Sequence, residues 1–92
     1  MKIALVRPTK TFEKQLGLLP DRKRSRVLEA LRLLLENSND RALRLHELKG
    51  QYEGTYSISA GGDLRIHFRL TLVGDCEVAN LQDVGTHSQL YG

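Results

Sequence analysis

The run Leu64-Arg65-Ile66-His67-Phe68-Arg69-Leu70 constrains the fold more tightly than any other segment. Its even positions are all apolar and its odd positions all cationic or ionisable, the period of a β-strand with one buried face. Leu64, Ile66, Phe68 and Leu70 are therefore expected to face a core. Arg65, His67 and Arg69 then project together from the opposite, open face, with neighbours about 7 Å apart. No acidic residue interrupts that stripe. Such a face can span successive phosphates of a nucleic-acid strand.

The rest of the chain fits around this strand. Gly61-Gly62-Asp63 reads as a hairpin turn joining it to a preceding strand, Tyr56 to Ala60. Gly74-Asp75 reads as a second turn, leading into a strand from Cys76 to Leu81. Leu43 to Leu48 is semi-extended, and residues 50–54 form a turn. In the first half the period lengthens. After a short strand from Lys2 to Arg7, stopped by Pro8, Thr9 or Thr11 caps a helix that carries Phe12, Leu16 and Leu19. Pro20 and Asp21 open a longer helix with a stripe of Val27, Leu28, Leu31, Leu34 and Leu35. The expected architecture is α+β: an N-terminal strand, a two-helix hairpin, then a three- to four-stranded antiparallel sheet with the helices on one face.

Ninety-two residues suit one domain spanning positions 1–92. A chain that is 40% hydrophobic, with only two prolines, argues against disorder. No apolar run approaches the roughly 18 residues of a membrane span, and the start is too short for a secretory signal, so a cytoplasmic location is expected. The lone Cys76 excludes an internal disulfide and is expected to be a buried, inert thiol. A net charge of +3 is modest, but nine of the fourteen basic residues are arginines, whose planar fork suits phosphate. An anionic partner is favoured.

His46, His67 and His87 lack the spacing of a zinc site, and no second cysteine exists, so no metal or other cofactor is expected. No Gly-x-Ser-x-Gly elbow supports a serine nucleophile, and no Gly-Lys-Ser/Thr follows the glycine pair to make a phosphate loop. The inventory does suffice for metal-free cleavage of RNA. A base removes the 2′-hydroxyl proton, an acid protonates the departing 5′-oxygen, and a cation steadies the phosphorus centre. His46, Asp63, Arg65, His67 and His87 are the available groups. The tail Gly85-Thr86-His87-Ser88-Gln89-Leu90-Tyr91-Gly92 would fray unless Leu90 and Tyr91 dock it, which would also fix His87.

Three segments resemble the RelE/ParE superfamily of bacterial toxins, and its YafQ branch in particular. They are His46-x-Leu48-x-Gly50-x-Tyr52-x-Gly54, Gly62-Asp63-Leu64-Arg65-Ile66-His67-Phe68, and the tail from Gly85 to Gly92. The resemblance implies the toxin of a type II toxin–antitoxin pair, a ribosome-dependent endoribonuclease that cuts mRNA. Its partners would be a cognate antitoxin, the ribosome and mRNA, with the toxin monomeric inside a hetero-oligomeric complex and no membrane involved. It also implies His87 as the principal catalytic histidine and general acid. His46 and Asp63 would be further catalytic positions, one of them the base, with Arg65 on the scissile phosphate and Tyr91 as supporting aromatic. Lys49, His67, Arg69 and Tyr91 are the expected substrate contacts. Ser59 stands where the branch has a histidine, and His67, on the same strand face as Arg65, is a candidate replacement. Two alternatives stay open: a non-enzymatic inhibitor of DNA gyrase, as in the ParE branch, or a catalytically inactive homologue.

Overall fold

A computed structural model describes residues 1–91; Gly92, the last position of the tail motif, lies outside the described residues. The elements are β1 (Ile3–Pro8), α1 (Lys10–Leu18), α2 (Asp21–Glu36), β2 (His46–Glu47), β3 (Tyr56–Ser59), β4 (Leu64–Val73), β5 (Cys76–Thr86) and α3 (His87–Tyr91). All five strands form one sheet in the order β1-β5-β4-β3-β2. The expected antiparallel run is β2 to β5. The first strand joins it as a parallel neighbour of β5, in the register Leu5 to Val78 through Pro8 to Leu81. Pro8 is tolerated there because β1 is an edge strand.

Local chemistry explains the helical hairpin. The Thr9 hydroxyl accepts from the Phe12 amide at 3.2 Å and caps α1. At the other end Arg24, reaching back from α2, donates to the Leu19 carbonyl at 2.7 Å and the Leu16 carbonyl at 3.3 Å. One guanidinium thereby shares the Leu16 carbonyl with the Leu19 amide, adds a donor to the Leu19 carbonyl, and closes the turn at Pro20. The buried face of α2 is Val27, Ala30, Leu31 and Leu34. Leu28 belongs to the expected stripe by spacing but points outward and is exposed, with Ala30 taking its place in the core. The smaller side chain lets α2 lie close to the sheet.

Phe12 and the α2 residues pack on Ile58, Ile66, Phe68, Ala79 and Leu81, forming one core on one face of the sheet. The alternation of β4 survives as far as Leu64, Ile66 and Phe68, while Leu70 is only half-buried. Two expectations are corrected. His67 is not on an open face: it is 3% exposed, because the C-terminal residues fold back over it. Cys76 is exposed at the start of β5, beyond the reach of the helices. The last strand also runs further than expected, to Thr86, and what looked like a polar tail is a short helix. Among the described residues no helix is long and apolar enough to cross a membrane.

Candidate active site

The site is built where α3 turns back across the uncovered face of β3, β4 and β5. Three contacts set that turn. Thr86 and Gln89 cap each other reciprocally: the Gln89 amide donates to the Thr86 hydroxyl at 3.2 Å, and the Thr86 amide donates to Gln89 Oε1 at 2.8 Å. The His87 amide donates to the Asp63 carbonyl at 3.0 Å, tying the helix to the β3–β4 turn. Gly85 allows the close return, since a Cβ there would lie 2.9 Å from Gln89 Oε1 and 3.4 Å from its Cβ.

Register then assembles the chemistry. Ser59 pairs with Arg65, and Arg65 with Gly85; one row along, His46 pairs with Ser57, Ser57 with His67, and His67 with Asp83. Alternation puts these side chains on the same face, in two rows about 7 Å apart. A cleft of about 210 Å³ opens between them, lined by Arg44, His46, Ser57, Ser59, Arg65, His87 and Tyr91. Among the described residues its lining holds two arginines, two histidines and no carboxylate, a field suited to an anion.

Each group is held in its own way. The Arg44 carbonyl accepts from His46 Nδ1 at 2.8 Å, which leaves Nε2 of the neutral ring as an acceptor. Arg44 itself adopts a left-handed conformation (φ 49°), so the backbone bends sharply to present that carbonyl. Arg65 Nη1 donates to the Gly62 carbonyl at 2.8 Å and to the Ser59 hydroxyl at 3.3 Å, which aims the guanidinium along the cleft wall. The rings of His87 and Tyr91 lie 4.5 Å apart, and Tyr52 stands edge-on to Tyr91 at 5.6 Å. The Tyr91 hydroxyl is hydrogen-bonded to His67 Nε2 at 2.7 Å. Burial holds the His67 imidazole below its usual range; the nearby His46 and His87 push the same way, and Asp83 opposes them. His67 is therefore neutral at neutral pH.

The structure gathers His46, Arg65, His87 and Tyr91 into this cleft. Asp63 contributes its backbone carbonyl, while its side chain is exposed on the turn and does not line the cleft. Lys49 lies apart, in a concavity shared with Glu47 and Glu53. His67 and Arg69 line a second, neighbouring cleft. Sequence reasoning missed Ser57, whose buried hydroxyl has no hydrogen-bond partner among the described residues. A hydroxyl buried without a partner costs about 1–3 kcal/mol. Alternation along β3 signals its direction; nothing in the sequence signals its lack of a partner. Sequence reasoning also missed the terminal helix, although Thr86-x-x-Gln89 has the spacing of a capping box. Among the described residues no group of three or more His, Cys, Asp or Glu side chains could hold a metal ion.

No protein-family model matches the chain, and no curated protein does. Solved structures do. YafQ from E. coli strain BL21(DE3) superposes with a TM-score of 0.76 at 20% identity, over 95% of this chain and 97% of that one. A YoeB/ParE toxin from Agrobacterium tumefaciens gives 0.73 at 16% identity, over 95% and 99%. The RelB–RelE antitoxin–toxin complex from Methanococcus jannaschii contains a chain that gives 0.63 at 26% identity, over 92% and 94%. The chain has the fold of the RelE/ParE toxin superfamily, in the form found in YafQ.

Proposed function

We propose that this chain is the toxin of a type II toxin–antitoxin pair and a metal-independent endoribonuclease acting on mRNA at the ribosome. The observation that carries the reading is the meeting of His46, Arg65, His87 and Tyr91 in one cleft with no carboxylate among its described lining residues. In the proposed reaction His46 Nε2 takes the proton of a ribose 2′-hydroxyl. The 2′-oxygen attacks the adjacent phosphorus, and the bond from phosphorus to the 5′-oxygen breaks. His87, as imidazolium, delivers its proton to that leaving oxygen. Arg65 neutralises the charge that builds on the phosphoryl oxygens. Ser59 cannot take a proton as a histidine would; beside Arg65 it serves as an aiming group. Asp63 acts by holding His87 through the backbone, and Tyr91 supports the His87 ring.

Structural relatives solved with antitoxins, such as the E. coli DinJ–YafQ complex, support an antitoxin as partner. A cytoplasmic site of action follows from an mRNA substrate. Inducing the chain should arrest translation and create mRNA 5′ ends at discrete codon positions, while His87→Ala should fold normally and abolish both effects. Intact mRNA with DNA damage would favour gyrase inhibition instead, and no phenotype from either protein would favour an inactive homologue.

A further inference from the structure

Beside the candidate active site lies a second cleft of about 270 Å³. The wall between the two is the trio Tyr52, His67 and Tyr91, with the His67–Tyr91 hydrogen bond at its centre. A β-bulge shapes the second cleft. His67 of β4 pairs with Asp83, but the next residue, Phe68, pairs with Leu81, so Gln82 is an extra residue in β5. The bulge resets the alternation and turns two successive polar side chains, Gln82 and Asp83, into the cleft. Bulges of this kind re-aim side chains beside functional sites.

Asp83 is fixed in place. Past Leu81 the strand β1 no longer pairs with β5, and Gln15 from α1 covers the freed edge. Its Oε1 accepts from the Val84 amide at 2.9 Å, and its Nε2 donates to Asp83 Oδ1 at 3.1 Å. Among the described residues no donor reaches the other carboxylate oxygen. The Tyr52 ring also lines the cleft, and Arg69, steadied by the Thr55 hydroxyl at 3.2 Å, supplies a cation.

We infer that this cleft is a nucleobase subsite, in which Asp83 reads the base next to the cleaved bond. The inference rests on the RNA-cleaving reading above. His67 and Asp83 lie one row, about 7 Å, from Arg65, within reach of the base attached to the neighbouring nucleotide. The volume, against roughly 30 Å³ for one water of the liquid, admits one flat ring system. Tyr52 offers that ring a stacking surface, the usual means of holding an unstacked RNA base. A carboxylate repels phosphate, so its occupant must be a hydrogen-bond donor. Guanine presents N1–H and N2–H side by side and matches both oxygens. Cytosine and adenine present one amino group each. Uracil offers a single N–H flanked by two carbonyl oxygens and is rejected.

The test uses single-stranded RNAs, alone and on ribosomes, that differ only in the base on either side of the cleaved bond. The wild-type chain should cut RNA with an amino-bearing base at one of these positions, guanine best, and discriminate against uracil there. Asp83→Asn should flatten that discrimination by roughly 5- to 150-fold, the worth of one bidentate base contact, through a loss confined to the preferred RNA. A wild-type enzyme indifferent to the base, or an Asp83→Asn loss equal on every RNA, overturns the subsite and leaves the nuclease reading intact. If no RNA is cut by the wild-type chain, both fall. A binding measurement guards against a variant that misfolds. Titrating wild-type protein with 5′-GMP should shift the amide resonances of Gln15, Asp83 and Val84, and 5′-UMP should not; equal shifts count against the subsite.

Discussion

The β4–β5 hairpin has two ends made of the same kind of sequence, and they do opposite things. At one end Arg65, His67, Asp83 and Gly85 lie under a five-residue helix and beside Tyr52, with His67 almost wholly buried. At the other, Leu72 and Val73 are 71% and 53% exposed, Cys76 is exposed, and nothing among the described residues packs over them. Apolar residues stand outside at one end while an imidazole is buried at the other. Strand alternation assigns faces; what lies over a face decides burial, and that is supplied by elements far away in the chain.

The comparison is broken most severely at the point where the covered end meets the core. Phe68 is fully buried and stacks on Tyr56 at 5.6 Å. Phe68→Ala should cost about 3–5 kcal/mol, lowering the melting temperature by at least roughly 12 °C for a chain of this size. Thermal unfolding measures it. A loss under about 1 kcal/mol would mean that the two ends are energetically alike.

Gly85→Val separates the covering helix from the core beneath it. The new side chain meets Gln89 and Leu90, so α3 must lift while the core stays packed. On the proposed RNA-cleaving reading, cleavage should fall by about 100-fold or more, since a displacement near 1 Å in a catalytic group suffices for that. Stability should fall by only about 1–3 kcal/mol. Full RNA cleavage by this variant would show that His87 needs no fixed helix.

Legibility in the sequence follows the same division. The β4 alternation and the helix stripe were readable because each depends on side chains a few residues apart. The grouping of His46 with His87 was reached through resemblance, for no spacing rule relates residues on β2 and α3. The burial of His67 was misread because alternation is blind to a chain end folding back. Asp83 was invisible for a related reason: the bulge at Gln82 is a property of pairing between two strands and leaves no mark on either alone. Leu28 shows the limit even within one helix, where five residues fit the stripe and the geometry of contact excludes one.

Tyr91→Phe sharpens the comparison without moving the helix. It keeps the ring on His87 and removes the partner of His67 Nε2. Leaving that buried nitrogen unpaired should cost about 1–3 kcal/mol by chemical denaturation. The pH dependence has a definite sign. The folded chain holds His67 below the ordinary 6.5, so between that value and the lower folded one the unfolded chain binds more protons. The stability due to neutral His67 is complete above about pH 6.5 and is lost as pH falls through the folded value. His67→Gln should flatten this loss between pH 7 and pH 5; an unchanged slope would mean that His67 titrates as an exposed imidazole.

The smallest effect belongs to the uncovered end. Leu72→Thr and Val73→Thr replace side chains that face solvent with ones that keep the β-branched or β-compatible shape of the strand. Each should change stability by no more than about 0.5 kcal/mol and leave RNA cleavage unchanged, with solubility raised by the loss of exposed apolar surface. The pair is the control for every substitution at the covered end, because it alters the same two strands in the same sheet. If either variant loses more than about 1 kcal/mol, the hairpin tip is buried in solution against something outside this chain. The difference between the ends would then be one of partner, with α3 covering one and another molecule the other.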